Sequence, residues 1–92
     1  MPKYAAKIDL NQAEIVFALR KIGCTVEPLH SVGRGVPDLL VGRHGCNYLF
    51  EIKTGKKKLN PLQVEWHRDW RGQVTVIRTW QEAAAHMGID VK

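Results

Sequence analysis

Two short apolar-rich runs, Asp38-Leu39-Leu40-Val41 and Tyr48-Leu49-Phe50-Glu51-Ile52-Lys53, stand on either side of His44-Gly45. A tight turn at His44-Gly45 makes them a hairpin, and antiparallel pairing then sets the start of the first strand beside the end of the second. Asp38 comes next to Glu51 by that rule. Side chains two apart on a strand share a face, so Lys53 points the same way as Glu51. Two carboxylates and one ammonium therefore gather at one end of the hairpin.

The remaining segments are arranged around this unit. Ile15, Val16, Leu19 and Ile22 recur at helical spacing after Asn11, a residue suited to capping, and Gly23 stops the helix. Thr25-Val26-Glu27 reads as a strand, and a loop carrying Gly33, Arg34, Gly35 and Pro37 leads into the hairpin. Asn60-Pro61 opens a second helix that runs to Gly72. Gln73 to Arg78 alternates as a strand, and Thr79 with Glu82 is a capping-box pattern opening a last helix to Gly88. The order is α-β-β-β-α-β-α, an α/β domain with helices against a mixed sheet. At 92 residues the chain has room for a single domain, residues 1–92.

Asp38, Glu51 and the backbone carbonyl of Ile52 offer hard oxygen donors of the kind Mg²⁺ takes, usually one or two carboxylates completed by water and phosphate oxygens. Phosphodiester hydrolysis needs a nucleophilic water, neutralised phosphate charge and help for the departing oxygen, which a bound metal and Lys53 can supply. Solvent-facing residues at a strand end would give the same letters, and Pro-Asp followed by Glu-x-Lys is a loose pattern.

Charge adds a second line. Lys and Arg number 14 against 9 Asp and Glu, a net charge of +5, which favours a polyanionic partner through counterion release. Arg34 before the carboxylates and Lys56, Lys57 and Lys58 after them place positive charge where phosphate backbone would lie on either side of a reacting bond. Trp66 and Trp70 share a helical face, and these two and Trp80 read as core. His30 and His67 show no partner and receive no role. Cys24, His30, His44 and Cys46 are zinc-ligand types, but their spacing matches no paired-ligand pattern.

Gly35-Val36-Pro37-Asp38-Leu39-Leu40, then Phe50-Glu51-Ile52-Lys53-Thr54-Gly55, between two helices, resembles the PD-(D/E)xK nuclease superfamily. More narrowly the chain is similar to the stand-alone VRR-NUC (virus-type replication-repair nuclease) domains, from Gln12-Ala13-Glu14 through Leu62-Gln63-Val64-Glu65-Trp66 to Val76-Ile77-Arg78. The resemblance implies that Asp38 and Glu51 are metal ligands and Lys53 the catalytic lysine. It also implies that Glu14 assists metal binding and that Gln63 matches a glutamine of the active site. From the residues alone, capping and the helix dipole explain Glu14 better than a metal role does.

The resulting expectation is a Mg²⁺-dependent, structure-selective DNA endonuclease, with Mn²⁺ able to substitute and no small-molecule cofactor. No recognition helix or finger module is visible, so selection by DNA shape is favoured over sequence readout. A Holliday-junction-resolving homodimer fits the two-fold symmetry of a four-way junction. A flap- or nick-directed repair nuclease, a non-cleaving nucleic-acid-binding module and the cutting subunit of a restriction or packaging system stand as alternatives. No apolar run approaches the roughly 20 residues of a membrane span, and Met1-Pro2-Lys3-Tyr4 lacks the apolar core of a leader, so an intracellular location is expected.

Overall fold

The computed structural model describes residues 11–91, and the Met1–Tyr4 segment read for a leader lies outside them. Helix α1 (Gln12–Lys21) is followed by strands β1 (Thr25–Pro28), β2 (Leu39–Arg43) and β3 (Cys46–Ile52). Helix α2 (Pro61–Asp69), strand β4 (Thr75–Ile77) and helix α3 (Trp80–His86) complete the expected element order. The strands form one mixed sheet in the order β1-β2-β3-β4, antiparallel except for the parallel β3–β4 pair that α2 connects. None of the helices is long and apolar enough among the described residues to cross a membrane.

The hairpin closes as read from the sequence. Arg43 pairs with Cys46 across His44 and Gly45, whose φ values are 49° and 79°. Two successive positive φ values match the twist of the flanking strands, which is why two-residue hairpins favour them. Carrying the Leu39↔Phe50 register one residue further sets Asp38 opposite Glu51.

One face of the sheet holds the core. Val26, Leu39, Val41, Phe50, Ile52 and Ile77 pack there against Ile15, Val16 and Leu19 of α1, Ala83 of α3 and Met87 just after it. Strand β2 alternates buried and exposed at Leu39, Leu40 and Val41, as a strand covered on one side should. Strand β3 departs from this at its end, where Phe50, Glu51 and Ile52 are all buried. Phe50 and Ile52 face the core, and Glu51 lies on the opposite face beneath α2.

Several expectations shift at the element ends. Asn11 makes no side-chain cap. Its amide donates to the Arg78 carbonyl at 3.0 Å and its Oδ1 accepts from the Thr54 hydroxyl at 3.3 Å, tying the start of α1 to the ends of β3 and β4. Helix α2 stops at Asp69, short of Gly72, because Trp70 turns extended and its indole N–H donates to the Gln73 carbonyl at 3.1 Å. The Gln73 side chain brackets Leu49, accepting from its N–H at 2.7 Å and donating to its C=O at 2.8 Å, so β4 is confined to Thr75–Ile77. At α3 the Thr79 hydroxyl accepts from Glu82 N at 3.1 Å, but the Glu82 carboxylate reaches back to Arg78 N rather than to the cap residue.

The tryptophans divide. Trp80 packs against the core as expected. Trp66 and Trp70 do not join it: α2 has no buried residue, Trp70 is 44% exposed, and the two indoles stack on each other at 4.7 Å and 19°. Burial of the α2 face that carries Gln63 and His67 is incomplete, so helical spacing alone overstated the packing.

Candidate active site

Asp38 enters the site from the loop before β2. In that loop Gly33, Arg34 and Gly35 all take positive φ values of 73°, 56° and 82°. A Cβ on Gly35 would lie 2.4 Å from the Leu62 carbonyl oxygen, so the loop rests directly on the backbone at the start of α2. Left-handed backbone at a non-glycine residue such as Arg34 is costly and persists only where its surroundings enforce it. The loop is therefore pinned where it delivers Pro37 and Asp38.

Asp38 itself is held at both ends. Its carbonyl accepts from Leu29 N at 2.7 Å, and its Oδ2 accepts from Ile52 N at 2.7 Å. Glu51 is 1% exposed and Lys53 8%. Removing a carboxylate from water costs several kcal/mol unless partners compensate. Here Gln63 Nε2 donates to Glu51 Oε2 at 3.0 Å, and Lys53 Nζ stands 3.9 Å from the same oxygen.

Gln63 has two duties. Besides holding Glu51, its Oε1 accepts from Asn60 N at 2.9 Å while Asn60 Oδ1 accepts from Gln63 N at 2.9 Å, a complete capping box. The residue that starts α2 is thus the one that orients the carboxylate.

His67, given no role from the sequence, stands one turn beyond Gln63 with its Nε2 4.0 Å from Glu51 Oε1. Burial pushes its imidazole below the ordinary histidine pKa, and the Lys53 charge pushes it further. Both effects favour the neutral imidazole beside Glu51. The signal was available as the i, i+4 relation of Gln63 and His67, which places both on one helix face.

These groups open onto a cleft of about 370 Å³. Asp38, Glu51, Lys53 and Gln63 line it together with Arg34, Lys57, Lys58 and His30. The buried Glu51 and the half-buried Asp38 thus sit within a cationic border. Arg78, given no site role from the sequence, secures that border by donating from Nε to the Gly55 carbonyl at 2.7 Å and from a terminal nitrogen to the Lys57 carbonyl at 3.0 Å.

Two expected residues are not brought in. Lys56 is exposed and does not line the cleft, because the loop turns there with Lys57 N donating to the Thr54 carbonyl at 3.1 Å. Glu14 is exposed in the first turn of α1 and does not line the cleft either, a position that suits the helix dipole. Its neighbour Gln12 is the polar residue of that turn that is buried, with Oε1 lacking a hydrogen-bond partner among the described residues.

Among the described residues no three His, Cys, Asp or Glu side chains gather as a metal-binding group. The carboxylates that line the cleft together are Asp38 and Glu51, at neighbouring strand ends joined by the Ile52 N–H bond to Asp38 Oδ2. An all-oxygen set with only two carboxylates suits a hard divalent cation that keeps water and takes phosphate oxygens, and suits zinc poorly.

No family model matches the chain, and no curated protein matches it. A solved structure described as "VRR_NUC domain" is similar to it with a TM-score of 0.66 and 26% sequence identity, covering 84% of this chain and 89% of that one.

Proposed function

We propose, on the premise that this chain is a VRR-NUC domain with the PD-(D/E)xK core, that it is a divalent-metal-dependent endonuclease hydrolysing phosphodiester bonds in structured DNA. The observation that carries the proposal is a fully buried glutamate, Glu51, set opposite Asp38 and beside Lys53 inside a cationic cleft. A buried carboxylate contributes little to stability compared with an apolar side chain of similar size, so its presence at this point is best explained by chemistry.

Asp38, Glu51 and the Ile52 carbonyl would hold Mg²⁺, or Mn²⁺ in its place, and the cation would supply charge neutralisation and acidify a bound water. The protein's own groups do the rest. Lys53, 3.9 Å from Glu51, directs its ammonium protons to the attacking water and the phosphate oxygens. Gln63 keeps the Glu51 carboxylate in one orientation. Arg34, Lys57 and Lys58 neutralise the phosphates flanking the scissile bond. Glu14 and Lys56 have no part in this scheme.

The preferred substrate is a four-way junction cut by a homodimer. With no recognition helix or finger module among the described residues, selection by shape is favoured, and paired cuts on a symmetric junction need two sites related by a two-fold axis. The test uses end-labelled four-way junction, flap, nicked duplex and plain duplex, each with Mg²⁺ and with chelator. Symmetric paired cuts on the junction, lost in chelator, support the reading. Cutting confined to flaps or nicks replaces the resolvase assignment, and binding without cutting on every substrate replaces the nuclease assignment with a binding module.

A further inference from the structure

We infer that the Trp66–Trp70 stack is a platform for a single unpaired nucleobase lying next to the scissile phosphate. This rests on the nuclease reading for the position of that phosphate and deepens it by naming what the DNA must offer beside it.

Trp70 is exposed, yet it is fixed. Its indole N–H donates to the Gln73 carbonyl at 3.1 Å, and one face lies on Trp66 at 4.7 Å. Its edge runs over Gly72, where a Cβ would come within 2.9 Å of Nε1. A half-exposed tryptophan held on three sides adds nothing to the core and loses no side-chain freedom when a ring is laid on it. Such preorganised aromatic faces are what single-stranded nucleic-acid sites use, since every base has a face to stack.

The surroundings identify the occupant. A groove of about 220 Å³ is lined by Arg34, Leu62, Glu65, Trp66, Asp69 and Trp70. It shares Arg34 and Leu62 with the catalytic cleft. Arg34 stands at the border between the two, in the loop that the Gly35–Leu62 approach pins to α2. The two compartments differ in charge. The cleft border is cationic and suits phosphate, whereas Glu65 and Asp69 in the groove repel phosphate and can accept from base amino groups. Arg68 lies within 3.7 Å of Glu65 and 2.9 Å of Asp69, which keeps the groove from being strongly anionic. Backbone in the cleft and base in the groove is the arrangement that satisfies both, and a base can leave the duplex stack most cheaply at a branch point, flap or frayed end.

Binding is measured in chelator, so that cleavage plays no part in the readout. A splayed duplex with an unpaired base at the fork and a fully paired duplex of the same length are titrated against wild type, Trp70→Leu and Trp70→Phe. Trp70→Leu is expected to weaken splayed-DNA binding by about 5- to 100-fold, with paired-duplex binding unchanged. Trp70→Phe, which keeps a flat ring, restores most of the loss. In wild type, a photoreactive iodouracil at the fork is expected to crosslink to the peptide carrying Trp66 and Trp70, a readout independent of any variant's folding. Equal affinity of wild type and Trp70→Leu for the splayed DNA, or crosslinking elsewhere, overturns the proposal. So does a Trp70→Leu protein that loses affinity for both DNAs equally while sedimenting as a smaller species, which would make the patch an interface between copies. Failure of the nuclease reading is recognised separately, as absence of cutting by wild type with Mg²⁺ while the base-dependent binding persists.

Discussion

Replacing Gln63 separates its two duties and makes a quantitative test of the site's geometry. Gln63→Glu keeps the capping acceptor, since glutamate serves as well as glutamine at this position of a capping box. It places an acceptor-only carboxylate where the amide donates to Glu51 Oε2 at 3.0 Å. Two like charges about 4 Å apart at an effective dielectric near 20 repel by about 4 kcal/mol. Gln63→Ala instead loses a hydrogen bond to a charged group, about 1.5–3 kcal/mol, and the box, about 1 kcal/mol. Both variants of the metal-free protein should be destabilised by a few kcal/mol in urea at pH 7.5. Only the Gln63→Glu loss should shrink at pH 4.5, where the two carboxyls can share a proton. A divalent cation should also recover Gln63→Glu more than Gln63→Ala, because it offsets repulsion but cannot rebuild a cap. A Gln63→Glu protein as stable as wild type at pH 7.5 without metal would show that Gln63 does not hold the Glu51 carboxylate.

Gly35→Ala should cost about 2–4 kcal/mol, combining a left-handed φ of 82° with a Cβ 2.4 Å from the Leu62 carbonyl oxygen, and activity should fall with it. Gly33→Ala has a similar φ of 73° but meets no atom within 4 Å, so about 1–2 kcal/mol is expected there, and equal losses in denaturant would deny the close approach at Gly35. Lys57→Ala and Lys58→Ala should each reduce the slope of log affinity against log salt by about 0.9, whereas Lys56→Ala leaves the slope unchanged in the same DNA titration. The lowered pKa of His67 means that the unfolded chain binds more protons than the folded one just below the ordinary histidine value of about 6.5. Stability of the metal-free protein should therefore fall as pH drops through about 6.5 toward the lower folded value, then level off. That step should be absent in His67→Gln, as read from urea midpoints across pH.

Much of the fold was legible because the hairpin carries its own register. His44-Gly45 dictates a two-residue turn, and once that turn is placed the apposition of Asp38 and Glu51 follows from antiparallel geometry. The boundaries of β4 and α2 were not legible, since both depend on Gln73 and Trp70 side chains bonding to backbone, which no periodicity reports. The tryptophans show the limit of helical spacing as a guide: it identifies a shared face but not whether anything covers it. Glu14 and Gln12 lie in one helical turn, and spacing could not say which of them is buried. Spacing puts His67 on the helix face of Gln63, but that this face meets Glu51 was not legible, because Glu51 belongs to another element.

The most direct test is single-turnover cleavage of an end-labelled four-way junction by wild type, Asp38→Asn and Glu51→Gln, with Mg²⁺ and with chelator, after urea midpoints have confirmed that each protein is folded. Cutting by wild type with Mg²⁺ alone is expected, with a loss of at least about 100-fold in either variant and DNA binding retained. Cutting that survives chelator, or that persists at wild-type rate in Glu51→Gln, would rule out metal-dependent chemistry at Glu51.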